Sequence, residues 1–402
     1  MMHVVLNYFY DILKSSMVYK IYIWRYAERM SKNYDLDENG CIKDTDPLYD
    51  TLDEWHDNDE YDKILEAIRA IPREQWSNKL WFRVVSALNN KEDFDAAREE
   101  LHHLGERCQT PADRAKYYYM LGYMFYKTDK EYKAIECYQA GIECDPEDTA
   151  ELSLQNECDD CREYINQGLT SLTKLSEAVA HSIDQRISEN PDKKDIDENT
   201  FTMALSFIPS IRKITPLNKC LGIDNLFFKY DDTEKETVKE FLNIPDKEAL
   251  KEILAEANYG GRFNDILAAK AGNPPFSLDQ LNASGRILWN ASMDYADSIM
   301  ENIPEGGLCA WDISEKIALA RHAFACDLIT NSEYMILITA LTDEAKEKYH
   351  SWAEYLTGLA LGAGYFMFCI DDLCLSGAFE FTKTMATMVL NSILPDFKWF
   401  EK

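Results

Sequence analysis

Tyr118-Tyr119-Met120-Leu121-Gly122-Tyr123-Met124-Phe125, followed by Ala134, Tyr138, Gly141 and Pro146, is the stretch on which the reading of this chain turns. Counted from Tyr118, an aromatic is followed by Leu at +3, Gly at +4, an aromatic at +7, Ala at +16, an aromatic at +20, a small residue at +23 and Pro at +28. Large apolar residues at helical spacing make one face of each of two helices. A small residue lets the two approach antiparallel, the large ones fill the gap between them, and Pro ends the pair.

A weaker copy lies 37 residues earlier, in Trp81, Val84, Val85, Leu88, Ala97 and Leu101, with Val85 in place of the small residue. A third, degenerate one uses Leu48, Leu52, Trp55, Tyr61, Ile64, Leu65 and Ile68 before Pro72. Three such units are about the minimum for a stable stack. Tyr164 to Ser188 continues as helix, with Ile165, Leu169, Leu172, Leu175, Val179 and Ile183 in register, and is expected to cap the array or bridge to the next domain. Glu189 to Asp195 has no apolar period and reads as a linker. Beyond Phe201 come further helical patterns, broken at Pro209, Pro216, Tyr230-Asp231-Asp232, Gly260-Gly261 and Gly272-Asn273-Pro274-Pro275, with no run of alternating strands. The expected fold is all-α: an N-terminal extension (1–44), helical-hairpin repeats with a capping helix (45–188), a linker (189–200) and a second helical domain (201–402).

The clear unit resembles the tetratricopeptide repeat at all eight of its signature positions. That resemblance implies a concave groove lined by the first helix of each unit. The inward positions are then Lys116, Tyr119, Tyr123 and Tyr126 in the clear repeat, and Lys79, Phe82, Ser86 and Asn89 in the one before. Three tyrosines on one stripe would offer a rigid contact surface with little side-chain entropy to lose. The alternative is that a neighbouring helix, such as Met1 to Met30, fills the groove. The Asn and Lys pattern of the chaperone-type carboxylate clamp is not reproduced. The C-terminal part resembles the bacterial domain of unknown function family 1266 through Trp311-Asp312, Arg321, Glu333, Ser351-Trp352, Tyr355 and Gly358, with Tyr365 or Phe366 as the aromatic after the glycine. This implies a helical domain and no mechanism.

Hydrophobic residues are 46% of the 402, so the chain can bury a large core, and the net charge of −29 argues against nucleic acid or an anionic membrane surface as partner. The acidity is uneven: Asp44 to Ile165 holds 30 Asp and Glu against 14 Lys and Arg. Eleven scattered cysteines fit a reducing cytoplasm. The start lacks the apolar core of a signal peptide, and translation is expected to begin at Met30. Leu356 to Ile370 is apolar but spans about fifteen residues where a bilayer needs roughly eighteen to twenty, so it reads as a buried core helix.

Catalytic, metal and cofactor assignments do not emerge. Asp312 precedes Glu315 by three, as Thr330 precedes Glu333 and Ser277 precedes Gln280, so all three pairs read as helix caps. Arg321 shares a helix face with Ile317, Phe324 and Leu328, which predicts a buried guanidinium paired with Glu333 or Asp312. His322 with Cys326 lacks the two further ligands that zinc requires, and Cys158 with Cys161 has Cys137 and Cys144 on the preceding helix but at a spacing too irregular for a tetrahedral set. Gly260-Gly261-Arg262 and Gly362-Ala363-Gly364 lack the strand-glycine-helix context of phosphate loops. The chain therefore reads as a bacterial cytoplasmic interaction protein, immunity-like or regulatory, whose repeats select a protein or peptide partner with basic residues at its rim. The rival reading is an enzyme with a site around Arg321, Glu333 and His350.

Overall fold

The computed structural model describes residues 34–208, 223 and 225–400. The expectations for Met1 to Met30, Pro209 and Pro216 lie outside these residues. Among the described residues the regular elements are helices, with two isolated β-bridges and no strand, so the fold is all-α. The chain divides into two compact units, the first ending at Cys161 and the second beginning at Arg162.

Unit 1 is built from three helix pairs: α1 (Leu48–Asp57) with α2 (Tyr61–Arg69), α3 (Asn78–Asn90) with α4 (Phe94–Gly105), and α5 (Pro111–Lys127) with α6 (Glu131–Cys144). Each pair turns in the same way. Asp59, Glu92 and Asp129 take the left-handed conformation at φ 58°, 60° and 58°. The next residue's amide reaches back to close the first helix: Glu60 to Trp55, Asp93 to Leu88 and Lys130 to Phe125, at 2.8, 3.0 and 2.9 Å. These bonds satisfy carbonyls that a helix end leaves open and offset the cost of a side chain in that conformation. Measured from each turn, Leu52, Val85 and Gly122 are equivalent, as are Ile68, Leu101 and Tyr138, and all six are buried. Their sizes compensate across the units. A Cβ on Gly122 would lie 2.4 Å from the Tyr138 ring, so the largest second-helix residue faces the residue with no side chain.

Residues 34–44 are no free extension. Ile42 is buried, its amide donates to the Gln75 carbonyl at 2.9 Å, and Asp46 accepts from the Asp35 and Leu48 amides, pinning the loop to the first helix. The first turns of α7 (Leu154–Ser188) bring Leu154, Cys158 and Cys161 against Ala115, Ala134 and Tyr138.

In unit 2, α13 (Cys309–Ala325) is the central helix. It packs on α8 (Glu198–Leu205), α10 (Lys247–Glu256), α11 (Tyr259–Lys270), α14 (Asn331–Lys348) and α15 (Trp352–Ile370). The last of these in turn packs on α16 (Leu375–Leu390), while α12 (Ala283–Ile299) lies on α11. The remaining helix, α9, spans Asp232–Leu242. Gly358 and Gly362 admit the start of α13: Cβ atoms there would meet the Gly307 and Leu308 carbonyl oxygens at 2.9 and 2.7 Å. By length and composition α15 could cross a membrane, but Tyr355, Leu356, Leu359, Ala360 and Ala363 are wholly buried inside this unit, so it is a core helix.

The units do not divide at the linker drawn from sequence. Val179 and Ile183 of α7 belong to the core of unit 2. Residues 189–200 are also bound there: Lys194 exchanges backbone hydrogen bonds with Asp396 and Lys398 at 2.9 Å each, and Arg186 pairs with Asp396 at 2.9 Å. Polarity in that stretch marks an edge segment held by backbone bonds rather than an unstructured tether.

Candidate functional site

The inward register of α3 and α5 leads to a cavity of about 780 Å³ in unit 1. Ser77 and Thr110, whose hydroxyls accept from the Leu80 and Asp113 amides, cap the two helices and fix where their first turns begin. Lys79 and Phe82 from α3 and Lys116 from α5 line the cavity, together with Asn78, Asp113, Arg107 and the 37–44 loop. Phe82 is almost fully buried, and the Lys116 ammonium lies 5.0 Å from its ring centre. Lys79 sits 4.1 Å over the Tyr49 ring and donates to the Asp44 carbonyl at 3.1 Å. Burial, then the nearby Arg83, holds the Lys116 ammonium below the usual lysine range. The lining is of mixed charge, with Asp37, Asp44 and Asp113 beside Lys43, Lys79, Arg107 and Lys116, where sequence charge suggested an acidic surround.

The tyrosine stripe is less open than its spacing suggests. Tyr119, Tyr123 and Tyr126 are each half-buried. Tyr119 packs against Tyr138 and Tyr123 and joins both core clusters of unit 1, and burial raises its phenol. Tyr126 packs into the smaller cluster. Tyr123, in neither cluster, lies under the Lys127 ammonium at 5.4 Å. Asn89 is buried and donates to the Met120 carbonyl at 3.4 Å, a bond between helices rather than a groove contact. Arg107, Asn78 and the 37–44 loop were missed from sequence because they reach the cavity from outside the repeat register.

The family-like residues of unit 2 gather inside its core. Asp312 does not cap its own helix, which begins at Cys309. Its carboxylate accepts from the Tyr259, Gly260 and Gly261 amides at 3.0, 2.7 and 3.4 Å, and so caps α11, whose own N-cap Asn258 makes no side-chain cap. Gly260 permits the approach, since a Cβ there would lie 2.7 Å from the Cys309 backbone. Burial lifts the Asp312 carboxyl to about 6, opposed by the Gly260 amide. Thr330 and Glu333 form the expected capping box, but Glu333 also pairs with Lys247, which together with the Thr330 bonds holds it down at about 2. Ser277 starts only a short 3-10 turn without a cap bond; Asn282 caps the next α-helix instead.

Arg321 is buried as expected, but neither of the two expected carboxylates is its partner. It donates to Ser206 Oγ at 3.1 Å, while Asp312 and Glu333 are engaged as above. Tyr355 donates to the Leu205 carbonyl at 2.8 Å, Trp352 to that of Lys398 at 3.2 Å, and Ser351 caps α15. Tyr349, which sequence reasoning missed, accepts from the Ala310 amide at 2.8 Å and so stands in for a cap on α13. Trp311 is buried against Phe366, and Tyr365 donates to Ser292 at 3.1 Å. His322 shares a 3.0 Å hydrogen bond with the Tyr230 hydroxyl, and Cys326 touches the Lys235 carbonyl. Cys158 and Cys161 are buried, with burial pushing the Cys161 thiol up to about 12. No hydrogen bond or ion pair joins Arg321, Glu333 and His350: the first is buried mid-helix, the second caps α14 and the third is exposed before α15.

The architecture thus defines an all-helical protein whose first unit repeats one helical hairpin and whose second wraps a central helix. Residues 223–389 match the family model described as a protein of unknown function (DUF1266), which lies within unit 2 and includes every family-like residue named above. Neither a curated protein nor a solved structure matches the chain.

Proposed function

We propose that this chain is an interaction protein of the bacterial cytoplasm, regulatory or immunity-like, in which unit 1 is a tetratricopeptide-like stack that holds a protein or peptide partner in its groove. The reading rests on one observation: the 780 Å³ cavity is lined by Lys79, Phe82 and Lys116, three of the inward positions that the repeat register assigns. Repetition of the same turn and the same buried register in three successive pairs supports it. The ten described cysteines are all free thiols, in keeping with a reducing compartment. The chain's net charge of −29 favours basic residues at the partner's rim, which speed encounter more than they strengthen the complex.

Affinity capture from host lysate tests this with wild type, Tyr123→Ala and Ser86→Trp. Tyr123 and Ser86 occupy inward positions outside the unit's buried core clusters, so both variants should keep the wild-type circular dichroism. Removing an aromatic contact should weaken a captured partner by about 2 kcal/mol, some thirty-fold, and a bulky block at Ser86 should do at least as much. Identical captured sets for all three proteins would refute the groove.

A further inference from the structure

Resting on that reading, we propose that the unit 1 cavity is a subsite for acidic side chains, so that the partner inserts glutamate or aspartate between Lys79, Arg107 and Lys116 while its flanks carry the basic residues. Three observations carry this. First, the three cations line one cavity of about 780 Å³, room enough for two or three side chains of a peptide. Second, none of them has a carboxylate partner among the described residues. Lys79 donates to the Asp44 carbonyl, Arg107 to the Trp76 carbonyl at 3.0 Å and the Asn78 side-chain oxygen at 3.5 Å, and Lys116 makes no hydrogen bond or ion pair with any described residue. Third, acidic groups are abundant nearby and still do not pair with them. Asp113 accepts from Asn78 at 3.0 Å, and Asp53 is taken by Arg83.

In a chain with 71 Asp and Glu against 42 Lys and Arg, three cations share one cavity with Asp37, Asp44 and Asp113 and form an ion pair with none of them. Burial without a paired anion is unfavourable for the Lys116 ammonium. The Arg83 and Lys79 charges beside it add repulsion, Asp113 and Asp44 offset part of this from a distance, and the net effect still disfavours the charged form, a penalty that an incoming anion would relieve. Lys116 therefore gains most from a bound carboxylate. The Lys116 and Lys79 ammoniums meanwhile lie over the Phe82 and Tyr49 rings, so little side-chain freedom remains to be lost on binding.

The probe is a fluorescein-labelled decapeptide carrying three glutamates and capped at both ends, so that only side-chain carboxylates are presented; its glutamine counterpart is the control. Fluorescence anisotropy with the full chain should show the glutamate peptide binding at least ten-fold more tightly than the glutamine one. The Lys79→Met/Lys116→Met double variant, which keeps the stems and should melt like wild type, should remove that preference, whereas Lys174→Met/Lys251→Met, on other exposed faces, should not. Equal binding of the two peptides, or a preference that survives in the Lys79→Met/Lys116→Met protein, overturns the proposal. Capture of a partner that depends on Tyr123 alongside either of those results leaves the interaction reading standing and removes only the acidic anchor.

Discussion

Asp312 shows how one carboxylate is diverted from the role its sequence position suggests. The spacing to Glu315 is that of a capping box, but Asp312 lies inside the first turn of α13, and its side chain reaches across to three amides of α11. Its carboxyl titrates near 6 in the folded chain, above the unfolded value, because burial penalises the charge more than the amides repay it. Between about pH 4 and 6 the native state therefore binds more protons than the unfolded one, and stability from this group falls by about 2–3 kcal/mol as pH rises through that window. Glu333, held at about 2, acts the opposite way: its contribution is present above the ordinary carboxylate value and is lost as pH falls toward 2. Asp312→Asn should flatten the rise in unfolding free energy between pH 6 and 4, measured by urea titration, while Glu333→Gln should flatten only the fall below pH 4.5. Loss of neither feature would mean that other carboxylates govern the profile.

Within unit 1 the helical hairpin is the element that recurs, and the Gly122–Tyr138 contact is its most demanding pair. Val85 with Leu101 and Leu52 with Ile68 hold the same positions with evenly sized residues. Gly122→Val alone should cost about 2–3 kcal/mol by driving a side chain into the Tyr138 ring, and Tyr138→Leu alone about 2 kcal/mol or more by leaving a void. The double variant reproduces the second hairpin's pairing and should cost at least 1 kcal/mol less than the two losses combined, a coupling read from denaturant midpoints. Additive losses would show that the three hairpins are not interchangeable at this contact. The turns were not legible as a repeat from sequence, because none carries the glycine that usually marks this conformation: Asp59, Glu92 and Asp129 take it with side chains in place.

For the whole molecule, the boundary inside α7 makes a prediction that the sequence boundary does not. A fragment of residues 162–402 should unfold cooperatively with native-like helix content. One starting at 189 should lose about 4 kcal/mol or more, because it gives up the burial of Val179 and Ile183 in the core of unit 2. Calorimetry of the two fragments distinguishes the cases, and equal melting would return the boundary to the polar stretch after Ser188.

Periodicity by itself determined the helices, the triple hairpin register of unit 1 and the burial of Arg321, since apolar residues at helical spacing leave few alternatives for which face turns inward. It also placed the Thr330–Glu333 cap, because that cap is made within five consecutive residues. Tertiary structure alone decided that Asp312 caps a different helix, that Arg321 bonds to Ser206, that residues 189–200 bind the C-terminal segment, and that Arg107, Asn78 and the 37–44 loop join Lys79, Phe82 and Lys116 around the cavity. The physical reason is common to all four. Each depends on which side chain reaches an unsatisfied group brought near by helix packing, and local spacing carries no information about partners fifty or two hundred residues away.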